Sequence, residues 1–362
     1  MNRSFLIGYF VFFILCGVIG CGSSSGTTAL SDTEAGTSTA SSAEAVSQSL
    51  SPSSTGMTSS SLSATQALKE EDDEISEKAI TNDEAKAVAL GTGGCSDADA
   101  TNVSVTATCD DVAHTAKITR VFSNCVTETG VTVSGTETVT WTNLGTGACV
   151  TSTGRPAFFK AVAGQGTGDA LQVISTDPDT PTSPVKAITR TNADGTILKV
   201  VGVVTIDYSK FAKTGTDRSV TETVTINTSR IKYKSDGTTK IFDHTIATGA
   251  STPLVITLDR ASSSVSPVRT IQSGTVTLTH NLAKYSVTTT FNGSGTTPVV
   301  YDYNTCECYP VSGQVNLTTI DTTTNKQMGS GSITYSNTPS CGTISLTYGG
   351  KSITPPKLAA CR

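Results

Sequence analysis

Long hydrophobic runs are what this chain of 362 residues most lacks. Its longest, Phe5 to Ile19, is interrupted by Tyr9, two glycines and Cys16 and ends in Gly-Cys-Gly-Ser-Ser-Ser without a basic cluster. A membrane-spanning helix needs about 20 apolar residues to cross about 30 Å of hydrocarbon, so a spanning helix is excluded there. Charge is also scarce, at 15% of residues, and aromatics make up only 6%, with a single tryptophan, Trp141. From Gly91 onward there are 21 Lys plus Arg against 19 Asp plus Glu. That balance leaves no basic footprint for nucleic acid and no Arg/Lys-rich amphipathic helix for a membrane surface.

Histidine is limited to His114, His244 and His280, far apart in the sequence. The paired histidines of a metalloprotease are therefore missing, as are a Walker phosphate loop, a dinucleotide glycine fingerprint and an EF-hand loop. No cofactor is expected.

What the chain has in quantity is Thr, Ser and Gly. Residues 22–65 form a Ser/Thr/Gly/Ala tract with almost no large apolar side chain, which cannot bury enough surface to offset its ordering entropy and reads as a disordered linker. As a coil it would reach roughly 35 to 40 Å and, fully extended, about 150 Å. Residues 66–92 hold eight acids against three lysines and carry apolar positions at Leu68, Ile75, Ala79, Ile80, Ala85 and Val88. Thr81-Asn82-Asp83-Glu84 reads as a capping box and Gly91 as a stop, so one or two short acidic helices are expected.

From about Val103 the hydrophobic period becomes two. Val139 and Trp141, Val224 and Ile226, Val276 and Leu278, Val315 and Leu317, Ile333 and Tyr335, and Ile344, Leu346 and Tyr348 all alternate with Thr, Ser or Asn, the pattern of half-buried strands. Asp194-Gly195, Asp236-Gly237, Asn292-Gly293 and Gly349-Gly350 read as short hairpin turns. The fold class expected is all-β, mainly an antiparallel meander built as a sandwich or open barrel over residues 93–362. The Pro-rich stretch at 176–184 marks a subdomain border.

Val18-Ile19-Gly20-Cys21 closes the N-terminal apolar run, after a basic start at Asn2-Arg3. Short basic, apolar and small-residue regions in that order make a secretory signal, and the ending resembles the lipobox of bacterial lipoproteins. The resemblance implies a signal peptide over 1–20, removal before Cys21, a diacylglycerol on its thiol and an acyl chain such as palmitate on its new amino terminus. Several acyl chains suffice for stable anchoring without a protein span. Gly22 in place of the Asp that retains lipoproteins at the inner membrane points to the outer membrane. The tail, with Cys308-Tyr309-Pro310-Val311-Ser312-Gly313, Gly331 to Tyr335 and Cys341 to Lys351, resembles the closing strands of β-rich envelope lipoproteins, and that likeness implies no activity.

Of ten cysteines, Cys16 falls in the signal and Cys21 at the lipid. Cys95, Cys109, Cys125 and Cys149 form one group, and Cys306, Cys308, Cys341 and Cys361 another. An even count in an exported chain reads as a disulfide framework. Pairing within each group leaves 3 × 3 = 9 connectivities out of 105. If Cys306-Glu307-Cys308 lay on a strand, both sulfurs would face one side and could share a metal with Cys341 and Cys361. Zinc frameworks use wider gaps, so disulfides are expected and no metal. Asp97, Asp99, Asp110 and Asp111 read as solvated loops.

Catalytic motifs occur only by letter. Ser183-Pro184-Val185-Lys186, Lys213-Thr214-Gly215 and Ser235-Asp236-Gly237 mimic the signatures of penicillin-recognising serine enzymes, but their order and the Pro-rich setting of Ser183 break the pattern. Asp207, Glu222, Asp243 and Asp302 would serve a glycosidase only if two stood roughly 5 to 9.5 Å apart. The expectation is a non-enzymatic outer-membrane lipoprotein, bound to the membrane through Cys21, with a structural or surface role and a protein or glycan as its partner. The alternatives are a periplasmic carrier of apolar ligands on a curved sheet and an envelope hydrolase on a β scaffold.

Overall fold

The computed structural model describes residues 102–110, 112–113, 115–126, 130–142, 171–176, 188–214, 217–260, 268–302, 304–306 and 309–353. The lipobox, the linker and the acidic segment lie outside them. The described residues form sixteen strands: β1 (Val103–Asp110), β2 (Thr115–Val126), β3 (Thr132–Thr142), β4 (Leu171–Thr176), β5 (Ile188–Thr191), β6 (Ile197–Thr214), β7 (Asp217–Tyr233) and β8 (Lys240–Thr248), then β9 (Leu254–Arg260), β10 (Val268–His280), β11 (Tyr285–Phe291), β12 (Val299–Asp302), β13 (Ser312–Asp321), β14 (Lys326–Ser336), β15 (Thr343–Tyr348) and β16 (Lys351–Ile353). All-β, antiparallel architecture is what the period of two requires, and among the described residues no helix is long and apolar enough to cross a membrane.

All sixteen strands belong to one hydrogen-bonded sheet. Three pairs of strands lie end to end. β4 and β5 both pair with β3 and β6; β8 and β9 both pair with β7 and β10; β11 and β12 both pair with β10 and β13. Each pair occupies one row, so the sheet is a meander of thirteen rows in strict chain order. The Pro-rich stretch lies in the first of these breaks, outside the described residues, and the sheet runs past it on both sides.

Asn292-Gly293 is a correction to the expected hairpins. It opens the 292–298 interruption between β11 and β12, which continue in the same direction instead of pairing. The physical cause stands opposite, at Gly274 and Gly313, with φ of +125° and +123°. A Cβ on Gly274 would run into the Pro253 carbonyl oxygen, and one on Gly313 would lie 2.5 Å from the Val299 Cα. Only glycine allows neighbouring backbones so close while the strand bends. Bends set against interruptions are how a sheet turns a corner.

Register divides the two faces. Gly274, Phe291, Val315, Ile333 and Leu346 stand side by side across five rows. Ile256, Ile271 and Val299 form another line, and Ile246, Leu278 and Val287 a third. These apolar side chains are at most 3% exposed. The opposite face carries Thr277, Thr288, Thr318 and Ser330, and beside them Thr275, Thr290, Asn316, Ser332 and Thr347, all half-buried or exposed. Thirteen rows make twelve steps, and a twist of roughly 20–25° per step sums to roughly 240–300°.

The meander gives the sheet two unlike ends. Connections at 127–131, 192–196, 234–239, 281–284, 322–325 and 349–350, all short, mark the hairpin end, while the other, the loop end, carries the longer 143–170, 261–267, 303–311 and 337–342 beside short ones at 111–114 and 215–216. Aspartates cap the tight turns. Asp236 accepts from the Thr239 hydroxyl and from the Thr239 and Thr238 amides, which hold its carboxyl down at about 2.

Candidate functional site

The densest polar cluster on the buried face lies near the hairpin end. Strand pairing sets Arg230, His244, His280 and Tyr285 in one line across β7, β8, β10 and β11. His280 Nδ1 lies 3.0 Å from His244 Nε2. The rings meet edge to face at 4.5 Å, Phe242 stacks on His244 at 4.5 Å, and Tyr285 tilts over His280 at 4.4 Å. Nε2 of His280 is buried without a hydrogen-bond partner. A proton on that nitrogen would be an unpaired buried donor, which is costly. The favoured tautomer therefore keeps the proton on Nδ1 and donates it to His244.

Both imidazoles titrate low, at about 4. Burial is the main cause for each. For His244 the Arg230 charge adds to it and Asp243 opposes it; for His280 a charged His244 adds to it. At neutral pH the pair is an uncharged, mutually bonded unit within an aromatic stack. Asp243 itself faces away: it accepts from Asn281 at 2.8 Å and pairs with Lys240 at 2.7 Å.

A second buried polar unit crosses β9. Arg269 Nη2 lies 3.0 Å from Glu222 Oε2, with the two side chains 4% and 0% exposed. Burial pushes the Glu222 carboxyl up and the Arg269 charge pulls it back. Its other oxygen, Oε1, is buried without a partner.

The cysteines partly resolve. Cys306 and Cys341 are bonded, with Cα atoms 5.7 Å apart, within one sequence group. Cys306 lies in a turn after β12 and not on a strand, because Asp302 accepts there from the Thr305 and Cys306 amides and from the Thr305 hydroxyl. A same-face pair of sulfurs at 306 and 308 therefore has no strand to sit on. Cys125 is buried beside Val103 and is disulfide-bonded. Cys109 lies on β1. Cys21, Cys95, Cys149, Cys308 and Cys361, like His114, lie outside the described residues.

Among the described side chains Glu222, Asp243 and Asp302 do not gather; Asp207 lies on β6, and Ser183 to Lys186 lie outside the described residues. Asp302 caps its turn through Asn304 and Thr305, Asp243 bonds Lys240 and Asn281, and Glu222 is held by Arg269 on the other face. Lys213-Thr214 ends β6 where it meets the start of β7, and Ser235-Asp236-Gly237 lies past the other end of β7, roughly 55 Å away at about 3.3 Å per residue. Among the described residues no three His, Cys, Asp or Glu side chains gather to hold a metal ion.

Sequence reading treated the histidines as isolated. His244 and His280 are 36 residues apart, and only the register of β8 on β10 joins them. No protein-family model matches this chain, and no curated protein or solved structure matches it.

Proposed function

We propose that this chain is a non-enzymatic lipoprotein of the bacterial outer membrane, anchored through Cys21, whose β body serves as a structural or surface-interaction module. The observation that carries the reading is the division of the sheet into two faces. Leu254, Ile256, Ile271, Val315 and Ile333 are 0% exposed, so their face is already filled, as a packed core is. An apolar carrier needs an open greasy groove in that place. Across β10, β11, β13, β14 and β15 the other face is a ladder of hydroxyls and amides, in which Thr277 bonds Thr288 and Ser332 bonds Thr347, each at 2.9 Å. Such a surface offers polar contacts to a protein or glycan and no reacting group.

Against a hydrolase stands the separation of Glu222, Asp243 and Asp302, each held by different partners. The anchor rests on the lipobox residues alone, and it supplies the test. In cells fed labelled palmitate, the wild-type protein should take up label and fractionate with the outer membrane, and Cys21→Ala should remain as unlabelled precursor. A Cys21→Ala protein that matures and stays in the membrane fraction would overturn the proposal. Protease added to intact and then permeabilised cells separates a surface role, with immediate digestion, from a periplasmic one.

A further inference from the structure

We infer that the His244–His280 pair is an acid-sensitive latch: at neutral pH it holds the hairpin end of β8, β10 and β11 closed, and an added proton lets that end open locally, ahead of the rest of the sheet. The pair sits where a latch must. His280 is the last residue of β10 and stands opposite His244 on one side and opposite Tyr285, the first residue of β11, on the other. Past it lies the 281–284 turn, so no further ladder position of β10 backs the pair up.

The hydrogen bond itself excludes another proton. In the neutral pair His280 Nδ1 donates to His244 Nε2 at 3.0 Å, and His244 keeps its own proton on Nδ1. Two nitrogens are left to take a third. On His244 Nε2 the proton would set two N–H groups against each other and abolish the bond, because such a contact needs one bare nitrogen. On His280 Nε2 it would create a charged donor at a buried atom that has no hydrogen-bond partner, which costs more than a neutral orphan. Either way the proton is better accommodated in an opened end, where water meets the imidazolium.

The groups around the pair supply little counter-charge. From β7, Arg230 stands opposite His244 and Lys232 opposite Phe242, and both are cations. β11 brings the Tyr285 ring. β13 brings Asp321 opposite Tyr285, but its carboxylate accepts from the Thr323 and Thr324 amides of its own turn. On β8 the Phe242 ring stacks on His244, and Asp243, which alone pulls the other way, faces away toward Lys240 and Asn281. Both imidazoles accordingly titrate low, at about 4, with burial the first cause for each.

Two features confine the opening. Asn281 fastens the outer side of the same end: its side-chain amide donates to Asp243 at 2.8 Å and to Thr245 at 3.2 Å, and its backbone amide donates to the Asp243 carbonyl at 2.9 Å. That clasp survives acid, because burial of the Asp243 carboxyl is outweighed by its bonds from Lys240 and Asn281, which hold it below the ordinary carboxylate range. The next line inward, Thr228, Ile246, Leu278 and Val287, holds no titratable side chain, so a proton gains nothing from opening beyond it.

The test is hydrogen exchange of the full chain at pH 7 and pH 5, with labelling times scaled to the intrinsic rates. From folded values of about 4 and an ordinary value of about 6.5, each imidazole shifts the opening equilibrium by roughly 20-fold between those pH values. Amides at 242–245 and 279–286 should therefore lose at least about tenfold in protection, while those of β9 and β13 keep theirs. The double variant His244→Phe/His280→Phe keeps two rings and removes both proton sites, and should exchange alike at the two pH values. Imidazole nitrogen-15 shifts of the wild-type chain read the pair without any substitution, and each ring should stay neutral from pH 7 down to about pH 5. Unchanged protection at 279–286, an equal loss in β9 and β13, the same loss in the folded double variant, or rings that titrate near their ordinary value would each overturn the latch. If the double variant does not fold, the wild-type exchange and nitrogen shifts decide.

Discussion

His280 shows how one side chain can make a whole fold sensitive to acid. Its folded pKa of about 4, like that of His244, lies below the ordinary value of about 6.5. Between those values the unfolded chain takes up protons that the folded one refuses, so stability is full above pH 6.5 and falls as pH drops toward 4. At about 1.4 kcal/mol per pKa unit, and allowing for the partial exposure of His244 and for coupling between the rings, the loss is on the order of 3 kcal/mol. Urea unfolding at pH 7.5 and pH 5 should show a lower midpoint at pH 5. His280→Phe, which keeps a ring against Tyr285 and removes one proton site, should flatten that difference. An equal drop in both proteins would remove the pair as its cause. None of this was legible in the sequence, where each histidine shows only strand-like neighbours. A contact between residues 36 apart depends on which strands pair and in what register, and local pattern does not carry that information.

Strands themselves were far more legible. Val315 and Leu317, or Ile333 and Tyr335, declare a buried face through spacing alone, and the structure buries all four. The turns at Asp194-Gly195 and Asp236-Gly237 close hairpins between paired strands, β5 with β6 and β7 with β8. Asn292-Gly293 carries the same local signal and reverses nothing. Whether such a dipeptide turns the chain back or only interrupts a row is decided by the strand opposite, here through Gly274 and Gly313. Gly274→Ala should therefore cost roughly 3 kcal/mol, since positive φ alone costs about 1–3 kcal/mol and the new Cβ would also meet the Pro253 carbonyl oxygen and, at 2.7 Å, the Leu254 Cα. Gly350→Ala is the control, with φ of +77° and nothing within 4 Å, and should lose only about 1–2 kcal/mol. Thermal unfolding of the two variants measures the gap, and equal losses would deny the corner its steric origin.

At the scale of the molecule, strict chain order means that every row is held by its sequence neighbours and that cooperativity must spread sideways through the sheet. β10 sits deep in that order, flanked by the β8/β9 row and the β11/β12 row, while β1 and β16 end the path. An end row has one paired neighbour, and opening it breaks half as many ladders as opening β10. Local opening free energies should thus rise from both edges toward the middle. In hydrogen exchange, the amides of Ile271, Val276 and Leu278 should be at least about tenfold slower than those of β1 and β16. Uniform protection from β1 to β16 would mean that the two end rows meet and close the sheet into a barrel, which removes its edges. A hydroxyl-rich outer face without open edges would then confine partners to side-chain contacts, whereas an exchanging edge leaves backbone groups available to pair with an added strand.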